Sequence, residues 1–250
     1  MRTNSIKTTA RIAGFLYLLQ IPLGVFGILY VPKVLMVTGN MAKTASNILA
    51  NEFLFRLSIV SAILCALVTI GTAIFIYKVL KPINNNYAKM IVIFTLIVAP
   101  ITMLNELNQV AVLLLLKSPE YASIFSASQI QTLISMFLDL HKYGIQIAGI
   151  FYGFWLLPMG YLVIKSNYIP KIIGALLIVT CLGYLLDFTT FFLYPNFGII
   201  ISEYTWLGEV LMVLWLLLKG VNVEQFEKRN KEFIKIGQKS MLSGLELPRP

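Results

Sequence analysis

The sequence predicts an all-α polytopic membrane protein with six transmembrane helices, an outer interfacial helix and a basic amphipathic cytoplasmic C-terminal helix. Hydrophobic residues make up 58% of the 250 residues and charged residues only 12%, whereas soluble chains are about 45 to 50% apolar and about 25% charged. The chain also contains apolar stretches long enough for helical spans, whereas strands of a membrane barrel alternate over about 10 residues. This pattern excludes an ordinary soluble domain and leaves no soluble module for binding nucleic acid.

The six spans follow from the spacing of the charged residues. Five stretches of 21 to 31 residues carry no charge or a single acid, and each lies between two charged residues: Arg11 and Lys33, Arg56 and Lys78, Lys89 and Lys117, Lys142 and Lys165, and Lys171 and Glu203. Glu106 and Asp187 are the single acids of the third and fifth spans, and residues 204–221 form a sixth span that contains Glu209.

The distribution of Lys and Arg predicts the orientation of the chain. With the N-terminus inside, the inner segments hold 15 of the 20 basic residues and the outer segments hold 5. Basic short loops stay in the cytoplasm. We therefore expect a multi-pass protein of the bacterial inner membrane with both termini cytoplasmic, residues 1–221 forming the transmembrane domain and residues 222–250 a basic cytoplasmic tail.

Three segments outside the spans have helical patterns. Ser126 and Gln129 form a capping box before an apolar helical face, which predicts an outer interfacial helix leading into the fourth span. Residues 41–55 are expected to extend the second span as a helix above the bilayer. Residues 222–240 alternate basic and apolar side chains, which predicts a helix resting on anionic lipid, with a solvated helical tail as the alternative.

The polar residues of the spans form the candidate ligand-binding cluster, because intramembrane ionisable residues are costly and mark functional sites. Counting 1.5 Å per residue places Glu106 and Asp187 in the outer third of the membrane and Glu209 just below its outer edge. All buried charges are therefore expected in the outer half. The candidate residues are Arg56, Asn105, Glu106, Asn108, Asp139, His141, Tyr184, Asp187 and Glu209.

Several of these residues have local structural alternatives. Glu52 with Arg56, and Asp139 with Lys142, have the helical spacing of ion pairs. Arg56 is otherwise the expected counter-ion of Asp187 or Glu209. Asp139 and His141 lie two residues apart and do not share a helix face, and the lone His141 is expected to be a packing residue rather than a metal ligand, so neither a metal nor another cofactor is expected.

The sum of the charges on the outer side also bears on function. Five carboxylates (Glu52, Glu106, Asp139, Asp187 and Glu209) stand against two cations, Arg56 and Lys142. An excess of negative charge in a poorly solvated region is costly, so we expect either protonated carboxyl groups or a bound cation.

Five motifs resemble the bacterial integral-membrane family catalogued as domain of unknown function 4386: residues 48–57, 137–144, 159–163, 183–187, and 208–209 with 214–222. The resemblance covers residues 10–222 and implies a six-helix bacterial inner-membrane protein, without implying a reaction or a cofactor. Family members tend to be apolar where this chain has Glu106, and some carry a second His where it has Trp155. A two-His metal site is therefore not expected here.

Three functions remain open at this point. The first is a binding or accessory membrane protein with an outward-facing polar pocket for a lipid-like or small amphipathic ligand. The second is a proton-linked or cation-linked transporter, which a polar pathway towards the cytoplasm would favour. The third is an intramembrane enzyme that uses His141 and carboxylates. The chain lacks the G-x-G-x-x-G, phosphate-loop, H-E-x-x-H and G-x-S-x-G motifs, so nucleotide use, zincin chemistry and serine hydrolysis lack their usual machinery.

Overall fold

The computed structural model describes the backbone of residues 3–245 and the side chains of residues 6–236 and 238. All regular secondary structure in this part of the chain is helical, which confirms the predicted all-α class. Five helical stretches are long and apolar enough to cross a membrane, and a sixth qualifies together with the helix that follows it. The end of the predicted tail, residues 246–250, lies outside the described residues.

The first span is a helix that changes its register midway. It consists of α1 (Thr3–Gly24), a π-helical segment (Val25–Tyr30) and α2 (Val31–Leu35). Pro22 and Pro32 lie on either side of the π-helical segment. Because proline has no N–H to donate to the carbonyl four residues earlier, the α-helical hydrogen-bond ladder is interrupted on both sides of this segment.

The second span is α4 (Glu52–Leu80), and it is preceded by a separate helix, α3 (Met41–Ala50). Asn51 separates the two with non-helical angles (φ −125°, ψ 40°), and its side-chain amide donates to the carbonyl of Asn47 (3.0 Å). Asn side chains compete in this way with the backbone ladder. Residues 41–50 are thus helical as expected, but they form a helix of their own rather than an extension of the span.

The third span is broken towards its C-terminal end. It consists of α5 (Asn85–Asn105) and α6 (Leu107–Lys117), with Glu106 between them. The Glu106 N–H donates to the carbonyl of Met103, three residues earlier, rather than to the one four residues earlier. The Asn108 side chain donates to the carbonyl of Asn105 (3.0 Å), so side-chain groups replace part of the helical ladder at the break.

A 40-residue helix forms the fourth span. After the short helix α7 (Pro119–Ile124), α8 runs from Ala127 to Ser166 without a break. The predicted capping box is present, since Ser126 Oγ accepts from the Gln129 N–H and the Ser126 N–H donates to Gln129 Oε1. At 1.5 Å per residue α8 is about 60 Å long, twice the thickness of the hydrocarbon core, so its capped outer segment belongs to the same helix as the span.

The fifth span packs antiparallel against the fourth. Asn167 ends α8 in the left-handed conformation (φ 61°), and α9 (Lys171–Leu193) begins four residues later. The two helices approach closely where Gly160 faces Gly174, because a Cβ on either glycine would press on the backbone of the other helix. Small residues permit such close helix contact in membranes.

The sixth span is short and ends in a sharp bend. It contains α10 (Ser202–Thr205) and α11 (Leu207–Leu218), and it is followed by α12 (Val223–Leu245). Gly220, at φ 71°, ends the span, with its N–H bonded to the carbonyl of Trp215 (2.9 Å). The bend between residues 202–218 and residues 223–236 is 99°, so α12 does not continue the direction of the sixth span.

Two apolar cores occupy the two ends of the bundle. One lies at the end that holds the start of α1 and the end of α11, and it includes Ile76, Leu156 and Leu162. The other lies at the opposite end and includes Phe55 and Ile134. We call these the termini end and the far end. Along the third and fourth spans, Glu106 and His141 lie between residues of the two cores.

Candidate functional site

A buried carboxyl–imidazole pair lies at the break in the third span. Glu106 Oε1 is 3.1 Å from His141 Nε2 on α8. The two residues are only 4% and 9% exposed. Helical phase predicts that both face the interior of the bundle, and the structure places them in direct contact.

Gln109 completes a triangle with this pair. Its Nε2 lies 2.9 Å from Glu106 Oε2 and 2.9 Å from His141 Nε2, and its Oε1 accepts from Ser58 Oγ on α4 (3.2 Å). An imidazole nitrogen either donates or accepts a hydrogen bond. When Nε2 carries a proton it donates to Glu106 Oε1, and when it carries none it accepts from Gln109 Nε2 or from a protonated Glu106 carboxyl group. The triangle therefore has two alternative arrangements of protons.

Asn105 fixes His141 from the side of the third span. Its Nδ2 donates to the backbone carbonyl of His141 (2.8 Å), and Asn108 Nδ2 donates to Asn105 Oδ1 (3.1 Å). The Asn105 amide occupies the space in which a Cβ at position 144 would lie. Gly144 is therefore required for the Asn105 side chain to reach α8.

A second polar group surrounds Glu209. The Tyr17 hydroxyl donates to Glu209 Oε2 (2.6 Å), and Tyr184 lies beside the same carboxyl. Tyr17 is buried and packs edge-on against Trp155, with ring centroids 5.3 Å apart. The predicted site residues Tyr184 and Glu209 therefore come together, but with Tyr17 rather than with Glu106 and His141.

Glu209 lies deeper than its sequence position suggests. The prediction that it lies just below the outer edge is wrong, because residues 194–206, most of them exposed, run back alongside α9 before α11 begins, with Thr205 against Gly183. Gly208 packs against the backbone of Leu176 and Leu177, which lie about 9 Å from the start of α9. Glu209 itself is about 14 Å from the end of α11, about half the thickness of a hydrocarbon core. Its carboxyl group therefore lies at a different level of the bundle from that of Glu106.

A hydroxyl pair lies between these two groups. Thr102, one helical turn before Glu106, has its Oγ1 3.4 Å from the hydroxyl of Tyr152 on α8. Along α8, Tyr152 lies between His141 and Trp155, the residue whose ring packs against Tyr17. Thr102 and Tyr152 thus lie between the pair at the far end of the bundle and the carboxyl group near its middle.

Asp187 has a local structural role. Its two carboxylate oxygens accept the backbone N–H groups of Ile201 and Ser202 at the start of α10, the latter at 2.9 Å. Side-chain oxygens commonly satisfy N–H groups at a helix start in this way. Asp187 therefore holds the descending segment 194–201 and does not join the group around Glu106.

Arg56 and Asp139 lie outside both polar groups. Arg56 Nε is 2.6 Å from Glu52 Oε1, and Lys117 Nζ is 2.8 Å from Glu52 Oε2. The prediction that Arg56 neutralises Asp187 or Glu209 is wrong, because Arg56 is 53% exposed and takes the helical partner four residues away. Asp139 is exposed on α8 whereas His141 is buried, as their spacing predicts.

Two open depressions on the surface of the bundle lie away from the candidate cluster. The first lies at the start of α8 and is lined by Phe125, Ser128, Gln129, Thr132 and Leu133. The second lies at the termini end, beside Trp215. Residues 3–245 contain no group of three or more His, Cys, Asp or Glu side chains arranged to hold a metal ion.

Sequence reasoning omitted Tyr17, Ser58, Thr102 and Tyr152 from the site. Each lies in an apolar run where a single hydroxyl side chain is common. Tyr17 shares a helix face with the small residues Ala10 and Ala13, and this small-residue face is the signal that could have placed it inside the bundle. Gln109 lies on the predicted polar side of the third helix.

Comparison with known proteins gives one family and one relative. The model of the family described as Domain of unknown function (DUF4386) matches residues 12–220. A protein of Archaeoglobus fulgidus described as an uncharacterized protein is 28% identical over 181 residues, which cover 70% of this chain and 93% of the relative. No solved structure matches the chain.

Proposed function

The chain belongs to the DUF4386 family of multi-pass membrane proteins, and we propose that it is a proton-linked transporter of the bacterial inner membrane. The observation that carries this proposal is the placement of buried proton-binding groups at two depths. Glu106 and His141 lie towards the far end of the bundle, Glu209 and Tyr17 lie near its middle, and Thr102 with Tyr152 lies between them. Chains of carboxyl and imidazole groups inside membranes mark proton pathways.

The charge of the outer pair supports proton uptake. With Glu106 ionised and His141 neutral, the pair carries one net negative charge, and no Lys or Arg among the described side chains forms an ion pair with it. A lone charge in a poorly solvated site is costly. One added proton makes the pair neutral, either as a carboxylate with an imidazolium or as a carboxyl group with a neutral imidazole.

The broken third span supplies a means of coupling this proton to movement. Glu106 lies at the break itself, and its carboxylate accepts from Gln109 at the start of α6. In one proton arrangement His141 Nε2 donates to Glu106, and in the other His141 Nε2 accepts from Gln109. Protonation is thus expected to change how α6 packs against α8, as in transporters whose sites lie at interrupted helices.

The packing of the site favours proton binding over a preformed ligand pocket. Glu106, Gln109 and His141 are buried and hydrogen-bonded to one another, so their polar groups already have partners within the protein. A drug-sized or lipid-like ligand generally requires a cavity of about 300 to 1,000 Å³ beside its polar contacts. Proton binding requires no such cavity.

Proton movement in liposomes tests the proposal. The purified protein is reconstituted into vesicles that contain a pH-sensitive dye, and a membrane potential is imposed. We expect proton entry faster than in protein-free vesicles, reduced in Glu106→Gln and unchanged in Glu52→Gln, whose carboxylate belongs to the exposed pair at the far end. Equal rates in protein-free vesicles and in all three protein samples would contradict a proton pathway.

The orientation is part of the proposal. The 15 to 5 distribution of basic residues supports cytoplasmic termini. A reporter that is active only in the cytoplasm should work when fused after Asn84 or after Ser240 and should fail within residues 118–128. Activity in that last loop would reverse the orientation.

A further inference from the structure

Helix α12 lies across the termini end of the bundle. It is bent by 99° from the sixth span, and Gly220, at the bend, lies against Lys7 of α1. Phe226, near the start of α12, is only 4% exposed and belongs to the same apolar core as Ile6 of α1 and Leu162 of α8. The start of α12 is therefore packed against the ends of other helices.

Two loops of the bundle hold α12 at successive points. The Tyr168 ring, in the loop between α8 and α9, packs edge-on against Phe226 with ring centroids 5.6 Å apart, and the Tyr168 carbonyl accepts from the Asn222 N–H (3.2 Å). About two turns further along α12, Lys81 Nζ, in the loop between α4 and α5, lies 5.8 Å from the centre of the Phe233 ring. Phe226 and Phe233 share one face of α12, so this face joins the two loops.

The hold of the bundle on α12 is one-sided. Within residues 223–236, the apolar side chains that pack on the bundle are Val223, Phe226 and Phe233, all buried or half-buried. The opposite face is exposed and charged, and it carries Glu224, Lys228, Lys231, Glu232 and Lys235. Because hydrophobic stabilisation scales with the apolar area buried, detaching this part of α12 costs less free energy than separating two spans.

The part of the bundle between Glu209 and α12 is filled by apolar side chains. Met212 and Leu216, which follow Glu209 along α11, have no exposed surface, and neither have Met159 and Leu162 on α8. Protein interiors of this kind are close-packed and leave little room for water. A proton that reaches Glu209 therefore meets a dry layer, and its passage to the termini end requires the helix ends there to separate.

We infer that residues 223–236 of α12 act as a strap that holds the termini end closed, and that release of this strap opens the end to water. The strap joins α11 to the α4–α5 loop, the α8–α9 loop and the start of α1, which are the parts that would have to separate. The Tyr168 hydroxyl adds a bond from the α8–α9 loop to the carbonyl of Val79 at the end of α4 (2.7 Å). The inference rests on the proposed function for what this opening controls, namely proton movement.

Loosening and locking the strap in the full-length protein test this inference. Phe226→Ala loosens it, and Ile236→Ala is the matched control, because Ile236 lies on the same helix and is 70% exposed. To lock the strap, Lys81→Cys and Phe233→Cys are combined and joined with a flexible bifunctional maleimide. The same protein before joining is its control, and the parent treated with the reagent controls for reaction at the free thiols of Cys65 and Cys181.

Two measurements are made on each protein in lipid vesicles. Hydrogen exchange of residues 76–80 and 162–166 reports whether water reaches the helix ends beside the strap, and the dye assay described above reports proton entry. We expect both to be severalfold faster in Phe226→Ala than in the parent and in Ile236→Ala, and severalfold slower after the two cysteines are joined. Exchange in residues 183–187, far from the strap, should stay unchanged.

The two measurements separate failure of the strap from failure of the proton pathway. Equal exchange of residues 76–80 and 162–166 in the loosened, locked and parent proteins would overturn the inference. Changed exchange with equal proton entry in a parent that does move protons would overturn the control of that pathway by the strap. If the parent moves no protons, the proposed function fails and the exchange rates alone decide whether the strap exists. If Phe226→Ala does not fold, the locked protein decides between these outcomes.

Discussion

Glu106 and His141 lie 35 residues apart in the sequence, on the third and fourth spans, yet their side chains meet at 3.1 Å in the interior of the bundle. Neither residue has a helical neighbour of opposite charge. Three features of the surrounding structure support this contact. The break in the third span leaves Glu106 between α5 and α6, and the Asn105 side-chain amide donates to the backbone carbonyl of His141. Gly144 leaves space for the Asn105 amide beside α8.

Gly144→Ala should destabilise the protein. The new methyl group would occupy the place of the Asn105 amide, and overpacking of this kind costs about 1 to 3 kcal/mol in the free energy of unfolding. The measurement is chemical or thermal unfolding in detergent. Gly149→Ala on the same helix is the matched control, because nothing lies within 4 Å of a Cβ there. Equal stabilities of the two variants would show that Asn105 does not pack against α8.

Tyr17→Phe should remove the hydrogen bond to Glu209 without changing the shape of the side chain. A buried carboxyl group that loses its donor costs about 1 to 3 kcal/mol. Unfolding of Tyr17→Phe is compared with that of Tyr30→Phe, which alters an exposed tyrosine of the same span. The loss should disappear when Glu209→Leu, which has no acceptor, is the parent for both variants. A loss that persists there would place the role of the hydroxyl elsewhere.

Asp187→Ala should loosen the segment that descends to α10. Two backbone N–H groups, those of Ile201 and Ser202, lose their acceptor, and losses of this kind cost about 0.5 to 2 kcal/mol. Hydrogen exchange should become faster across residues 194–202 and stay unchanged in α8. If residues 194–202 exchange at the same rate in Asp187→Ala as in the parent protein, Asp187 does not hold this segment.

Arg56→Ala should have little effect on stability, in contrast to the expectation from charge counting alone. Exposed ion pairs contribute about 0 to 1 kcal/mol, and Glu52 keeps Lys117 as a partner. The small loss should shrink further in high salt, because salt screens exposed charges. An unfolding loss of about 3 kcal/mol or more would instead indicate that Arg56 neutralises a buried carboxylate.

The spans, the capping box at Ser126 and the inward faces of Glu106 and His141 could be predicted because each depends on residues within a few turns of helix. The partners of Arg56 and Glu209 could not be predicted from the sequence. Arg56 had a local partner and a distant candidate, and sequence spacing does not measure distances between helices. The depth of Glu209 was misjudged because counting from the outer end assumes a span that starts at the surface, whereas residues 194–206 descend first.

The state of His141 tests the central claim most directly, namely that the pair with Glu106 takes up one proton. His141 is the only histidine of the chain, so ¹⁵N-labelled histidine gives signals from one ring. A proton taken up by the pair either makes the ring an imidazolium or protonates the carboxyl group, and each outcome changes the hydrogen bond between His141 Nε2 and Glu106 Oε1. Nitrogen NMR in lipid, compared between neutral and acidic buffer, should therefore show a change in the ring signals of the parent protein that is lost in Glu106→Gln. Ring signals that are the same in both buffers in the parent protein would contradict the account.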